Sequence, residues 1–168
     1  ERRSTREFSP QPLPPQVLSD LLWAAFGVNR STNSHRTAPS TMNAQEIDLY
    51  VATAQGVFLY DAPAHQLKPV LAEDLRARTG GQAFVQEAPI ALIFVADLGR
   101  LAKAKPEDRE FYAAIDTGFI SQNVYLFCAS EGLATVVHDL NKPALARALD
   151  LRPNQRVIIA QSVGYPRP

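Results

Sequence analysis

The 168-residue chain is predicted to fold as an α+β protein, with a central, mostly antiparallel sheet flanked by helices. Three stretches carry that prediction. Ile47, Leu49 and Val51 alternate with Asp48, Tyr50 and Ala52, which marks a half-buried strand. Gln55-Gly56 can turn it back into Val57-Phe58-Leu59-Tyr60 as a β-hairpin. Pro89–Asp97 encloses the apolar run Ile90-Ala91-Leu92-Ile93-Phe94-Val95-Ala96, whose lack of alternation suits a central strand covered on both faces. Glu110–Glu131 is the longest helix candidate. In it Ala113, Thr117 and Ser121 recur at four-residue steps, as do Ala114 and Gly118, while Ile115, Phe119, Leu126 and Phe127 occupy other sides. A helix apolar on most sides must be covered on most sides. In a chain of this size a second copy is the natural cover, so a homodimer is expected.

The other elements follow in order. Pro10, Pro12, Pro14 and Pro15 separate the amino terminus from a first helix, and Pro14-Pro15 suits its first turn, where no amide partner is needed. Val17, Leu18, Leu21, Leu22, Ala25 and Phe26 recur at helical spacing, with Trp23 flanking the stripe and Gly27 ending it. Residues 28–45 are polar and aperiodic and read as a long loop. Leu67–Arg78 is expected to be a helix closed by Gly80-Gly81, and Gln82–Glu87 one helical turn. After the charged loop Lys103–Asp108 and the long helix, Ala134-Thr135-Val136-Val137 is a short strand. Lys142–Leu149 is a helix with Pro143 at its start, and Arg156–Tyr165 carries the last strand.

Composition narrows the function. Lys plus Arg and Asp plus Glu both number 17, so the net charge is zero. That argues against a general nucleic-acid binder, which needs a basic excess, and gives no support for an anionic membrane surface. The Pro89–Ala96 run is too short to span a bilayer. The lone Cys128 forms no internal disulfide or cysteine zinc cluster, and its apolar neighbours suggest a buried, inert thiol. His65 has no second ligand at metal spacing, so no metal is expected. A cytoplasmic location is the default; the chain opens on Glu1 rather than Met, which leaves a trimmed export segment open.

The chemistry concentrates at the start. Arg2-Arg3-Ser4-Thr5-Arg6 places three guanidiniums and two hydroxyls within five positions. Arg presents a planar fork of donors that matches phosphate oxygens. On an extended backbone Arg2, Ser4 and Arg6 point the same way. Local chemistry alone also fits a solvated terminus with ordinary surface arginines. No glycine-rich dinucleotide fingerprint, nucleophile elbow or P-loop is present. Ser40, His138 and Asp139 do not make a hydrolase triad, because adjacent His and Asp side chains point apart on regular backbone.

The opening Arg-Arg-Ser-x-Arg-x-Phe is followed in order by Ala38–Gln45, Gly118–Asn123, Glu131-Gly132-Leu133 and Val163-Gly164-Tyr165-Pro166. This ordered set resembles the nitroreductase-like FMN-dependent flavoproteins, and Asn29-Arg30 with Arg36–Ser40 resembles most closely their SagB-type dehydrogenase-like branch. The resemblance implies one FMN-binding domain over residues 1–168, nitroreductase-like and homodimeric. It implies that Arg2, Arg3, Ser4 and Arg6 hold the phosphate and ribityl chain. Ser40, Met42 and Asn43 would meet the cofactor partly from the second subunit. Val137, His138 and Asp139 would pass beside the ring, with a backbone amide donating to N5, and Arg167 could add charge at the phosphate. His138 and Asp139 also fit a plain strand-to-helix turn with Asp139 as a local cap. Asp116, Gln122 and Asn123 read as core or interface hydrogen-bonding groups. The family pattern has Gln followed by Pro and an aromatic, whereas here Gln45 precedes Glu46-Ile47.

The implied activity is hydride transfer from NAD(P)H through flavin N5 to a small acceptor such as a nitroaromatic or quinone. No side chain is expected to be catalytic, since the flavin carries the chemistry. Two alternatives stand beside it: a SagB-type dehydrogenase oxidising a peptide azoline or other organic substrate, and a non-catalytic, flavin-binding dimeric scaffold.

Overall fold

The computed structural model describes residues 1–167, so the domain limit expected at residue 168 lies outside the described residues. Helix α1 (Pro15–Phe26) starts on Pro15, with Pro14 in extended conformation before it. Its last i→i−4 bond runs from the Gly27 amide to the Trp23 carbonyl at 2.8 Å, and it ends because Gly27 itself turns extended (φ −70°, ψ 161°). A Cβ at Gly27 would sit 2.5 Å from the Trp23 ring, so close approach, not a left-handed cap, requires the glycine. Residues 28–45 are not wholly loop. Strands β1 (Val28–Arg30) and β2 (His35–Arg36) pair antiparallel, and Thr41–Asn43 makes a tight 3-10 turn.

The hairpin of β3 (Ile47–Thr53) and β4 (Gly56–Asp61) forms as expected, with Thr53 opposite Gly56. The helix expected over Leu67–Arg78 does not form. That stretch is strand β5 (Gln66–Leu71) followed by a 3-10 turn at Arg76–Arg78. Pro69 would fall in the first turn of such a helix and does not forbid it; the stretch is instead taken up by pairing with β4, and on the outermost strand the missing N–H of Pro69 costs nothing. Pro69 lies opposite Phe58, and β5 is the sheet edge.

Helix α2 (Phe84–Glu87) is the expected single turn and leads into β6 (Ile90–Asp97). Helix α3 (Arg109–Ser130) follows, then β7 (Ala134–His138), α4 (Lys142–Ala148) and β8 (Gln155–Gly164). Asn141, not Asp139, caps α4: its Oδ1 accepts the Ala144 amide at 3.1 Å, while Asp139 bonds the adjacent Leu140 amide. A cap must precede the helix directly, and Asp139 stands too early.

The main sheet runs β5-β4-β3-β6-β8-β7 with every neighbouring pair antiparallel. Every residue of β6 is buried. Ile90, Leu92, Phe94 and Ala96 pack with Leu21, Leu22 and Phe26 of α1 and Ile120 and Val124 of α3. Ala91, Ile93 and Val95 pack on the other face with Leu75, Leu145 and Leu149. Burial of each such Leu, Ile or Phe stabilises the fold by about 1.5–3 kcal/mol. The same sheet fixes the amino terminus. Phe8 is fully buried beside Phe84 and Val136 and bridges Pro166, and the Thr5 amide donates to the Thr135 carbonyl of edge strand β7 at 3.0 Å.

Candidate functional site

Edge strand β7 and the second half of α3 position the terminal cluster, and Tyr125 is its hub. The Arg2 guanidinium lies 5.1 Å from the Tyr125 ring centroid, a cation–π distance. Ser4 Oγ lies 3.0 Å from the Tyr125 hydroxyl, which also accepts the Val137 amide at 3.0 Å. Arg3 and Thr5 alternate to the other side and line a cleft of about 300 Å³ with Glu1, Cys128, Gly132 and Thr135. Arg6 is exposed, and among the described residues Arg2, Arg3 and Arg6 make no ion pair with a carboxylate. Burial pushes the Cys128 thiol up to about 12, which keeps it an inert lining. Nothing local in the sequence singled out Tyr125. Its meaning comes from the edge strand and terminus that the fold lays against it.

Arg167 lies beside the amino-terminal segment along the backbone, but its side chain is engaged by another group. Its guanidinium pairs with Glu87 at 3.0 Å, while its backbone amide donates to the Glu7 carbonyl. His138 is buried and turned inward, with Nε2 2.9 Å from Ser162 Oγ and its ring edge-on to Phe84. Burial lowers its pKa, which favours the neutral imidazole. Of the Val137–Asp139 segment, Val137 thus approaches the terminal cluster through its backbone, His138 is committed to the interior, and Asp139 is exposed.

The Ser40–Gln45 turn is the second group. Ser40 Oγ accepts the Gln45 amide at 2.9 Å, so its hydroxyl serves the turn itself. Met42, Asn43 and Gln45 all have positive φ (54°, 53° and 48°), a costly backbone for non-glycine residues. Several tethers hold it. Asp116 accepts the Thr41 amide at 2.6 Å and the Thr41 hydroxyl at 3.2 Å. Arg36 donates to Gln45 Oε1 at 3.0 Å and Arg100 to the Gln45 carbonyl at 3.1 Å. Met42 and Asn43 are left exposed at the tip.

The two groups do not meet within one chain. Asp116 holds the turn and Tyr125 holds the terminus, nine residues apart on α3. That spacing is about 13 Å along the axis and about half a turn around it. Along one face α3 exposes Phe111 (65%), Ile115 (38%), Phe119 (44%) and Leu126 (53%), and Trp23 (46%) and Met42 (53%) are exposed as well. So many large apolar groups on one face mark an interaction surface. Gln122 is also exposed, while the Asn123 side chain donates to the Ala25 carbonyl at 3.2 Å and Asp116 is buried, as core hydrogen-bonding groups.

Fold and site together define an α+β protein with an antiparallel sheet, an anion-ready cationic terminus fixed to the sheet edge, and an uncovered apolar helix face. The chain belongs to the nitroreductase family, whose pattern matches residues 1–165. It is 32% identical over 146 residues to a protein of Methanocaldococcus jannaschii that carries a nitroreductase name, covering 81% of this chain and 73% of the relative. A crystal structure from Ralstonia eutropha JMP134, also named for a nitroreductase, superposes with a TM-score of 0.95 at 46% identity, over 99% of this chain and 80% of that one. A chain of the Escherichia coli microcin synthetase McbBCD complex shares the fold, with a TM-score of 0.88 at 20% identity over 100% of this chain and 70% of its own. Membership places the chain in a family of oxidoreductases for which FMN binding is typical. Among the described residues no helix is long and apolar enough to cross a membrane.

Proposed function

We propose that residues 1–168 form one FMN-binding domain that acts as a homodimeric oxidoreductase, moving reducing equivalents from NAD(P)H to a small acceptor such as a nitroaromatic or a quinone. The observation that carries this reading is the pair of guanidiniums of Arg2 and Arg6, without a carboxylate partner among the described residues, alternating with the Ser4 hydroxyl on a terminus fixed to the sheet edge. That donor set fits a phosphate: planar cationic forks beside a hydroxyl, each charge-assisted bond contributing about 1.5–3 kcal/mol. When bound, FMN supplies reversible two-electron chemistry at its ring.

Every other part of the work falls to this chain's residues. Arg2, Ser4 and Arg6 hold the phosphate end, and Arg3 adds charge from the adjoining cleft. The Val137–Asp139 backbone lines the ring end, with the neutral His138 fixing the strand from inside. Ser40, Met42 and Asn43 complete the site from the second copy. The geometry of α3 favours that sharing. An antiparallel pairing of two exposed α3 faces brings the turn at one end of the helix toward the terminus at the other end of its partner, and a two-fold interface repeats the match. Arg167 joins the phosphate only on release from Glu87.

The test is the visible absorption spectrum of the purified protein before and after heat release of any ligand. A flavin spectrum, release of FMN, and a colourless Arg2→Ala/Arg6→Ala double variant are expected. A protein that stays colourless after incubation with FMN ends this reading. A second reading, oxidation of an organic substrate such as a peptide azoline by a SagB-type enzyme, is favoured by the Asn29-Arg30 and Arg36–Ser40 segments and by the fold shared with the microcin synthetase chain. Bleaching of the bound flavin by NAD(P)H selects the first reading over this one and over a non-catalytic flavin-binding scaffold.

A further inference from the structure

Glu46 is fully buried, and among the described residues neither of its carboxylate oxygens has a hydrogen-bond partner. It ends the Thr41–Gln45 turn at the entrance to β3, where its backbone carbonyl accepts the Asp97 amide at 2.9 Å. The group facing its side chain is a second buried carboxyl, Asp116 of α3. Asp116 already accepts both donors of Thr41. Two buried acids side by side cannot both be ionised without large cost. One proton on Glu46 makes one of its oxygens a donor to Asp116 and removes the second buried charge.

We propose that Glu46 and Asp116 share one proton, and that this proton is the latch holding the Thr41–Asn43 turn in its cofactor-facing form; the proposal rests on the flavin reading above. Both are positioning residues and touch no reacting atom. The strain of the turn calls for such a latch, because three left-handed non-glycine residues persist only where their surroundings over-determine them. The other charges near the turn are already spoken for. Arg100 pairs with Asp48 at 2.9 Å, Asp97 is held by Arg152 at 2.7 Å and Asn154 at 2.6 Å, and Arg36 donates to Gln45 and to the Phe26 carbonyl. Asp116 is therefore the acid that decides the state of Glu46, with Arg100 the nearest opposing cation.

Burial, followed by the Asp116 neighbour, pushes the Glu46 carboxyl up to about 7. The latch is closed in mildly acidic solution and opens in mildly alkaline solution. Loss of the proton sets two anions against each other, pulls Asp116 from Thr41, and frees Met42 and Asn43.

The test follows two quantities against pH in the full chain: FMN affinity, read by recovery of FMN fluorescence on release, and Thr41 amide exchange in the flavin-free protein. From about pH 6 to about pH 9 the affinity of the unaltered chain falls about tenfold, and Thr41 exchange rises beyond the intrinsic base-catalysed increase. In Glu46→Gln the amide donates to Asp116 without titrating, so affinity changes by less than about twofold over that range and the excess Thr41 exchange is lost. A Glu46→Gln variant that keeps the slope of the unaltered chain overturns the latch. If no FMN binds at any pH, the flavin reading falls, and Thr41 exchange by itself decides the latch. If Glu46→Gln does not fold, the infrared band of a protonated carboxyl in the unaltered chain decides. The band is present at about pH 6 and titrates away near neutrality if the proton is shared, and its absence at about pH 6 overturns the proposal.

Discussion

The two ends of α3 carry polar groups by opposite means. At the Tyr125 end the arginines are exposed and, among the described residues, free of acid partners, tied down by backbone contacts to the sheet edge, the buried Phe8 and one tyrosine. At the Asp116 end the acids are buried, and the Thr41–Gln45 backbone is strained and tethered from several elements. Exposed cations keep their hydration and stay available to an anionic ligand. Buried acids have no such freedom, and their charge state becomes part of the fold. One end is therefore suited to hold something, and the other to hold the chain itself in a shape it would not otherwise keep.

The largest expected effect falls on the surface between the two ends. Phe119→Asp puts a charge at the centre of the exposed α3 face and weakens self-association roughly a thousandfold, about 4 kcal/mol. Sedimentation equilibrium reads this, and on the proposed site shared between two copies flavin affinity falls with it. Monomer stability changes by no more than about 0.5 kcal/mol, since Phe119 is already exposed.

The buried end is broken by pH. The folded Glu46 carboxyl titrates at about 7, against an ordinary value of 4.5. The folded state then binds more protons than the unfolded one between those values, so stability falls with rising pH across that window. The contribution is full below about pH 4.5 and is lost as pH rises through about 7, amounting to about 3 kcal/mol. His138 works the other way: its lowered pKa makes stability rise with pH up to the ordinary imidazole value. Denaturant unfolding of the natural chain and of Glu46→Gln, taken as a difference, isolates the carboxyl. A difference that stays flat across the window sinks the assignment.

Tyr125→Phe sharpens the account of the exposed end. It removes the hydroxyl that meets Ser4 and Val137, and costs about 1–2 kcal/mol of flavin affinity. Amide exchange at Val137 should speed up while global stability moves less. Equal losses in both would mean that Tyr125 serves the core and not the terminus. Thr41→Val is the smallest step. It keeps the 2.6 Å amide bond to Asp116 and loses only the 3.2 Å hydroxyl bond, a cost of about 0.5–1 kcal/mol in thermal unfolding.

The features legible in the amino-acid order are those that depend on neighbours along the chain. Alternation over Ile47–Ala52, the turn at Gln55-Gly56, the unbroken run to Ala96 and the stripe of α1 each report a local period, and the strands and helices follow from it. The order of the short motifs carried the family, and the crowded arginines marked the terminus as the place for an anion. Where a helix is expected over Leu67–Arg78 the chain forms an edge strand, because its pairing with β4 depends on the sheet, and only the sheet reveals an edge where Pro69 is harmless. Glu46 stood in the sequence as a departure from the family pattern, with no sign that it would be buried against Asp116, 70 positions away. Tyr125 was one aromatic among many. Which charges are buried, which are paired and which faces stay uncovered are properties of distance in space. The tertiary structure decided them, because desolvation and hydrogen bonding act between groups that the chain order keeps apart.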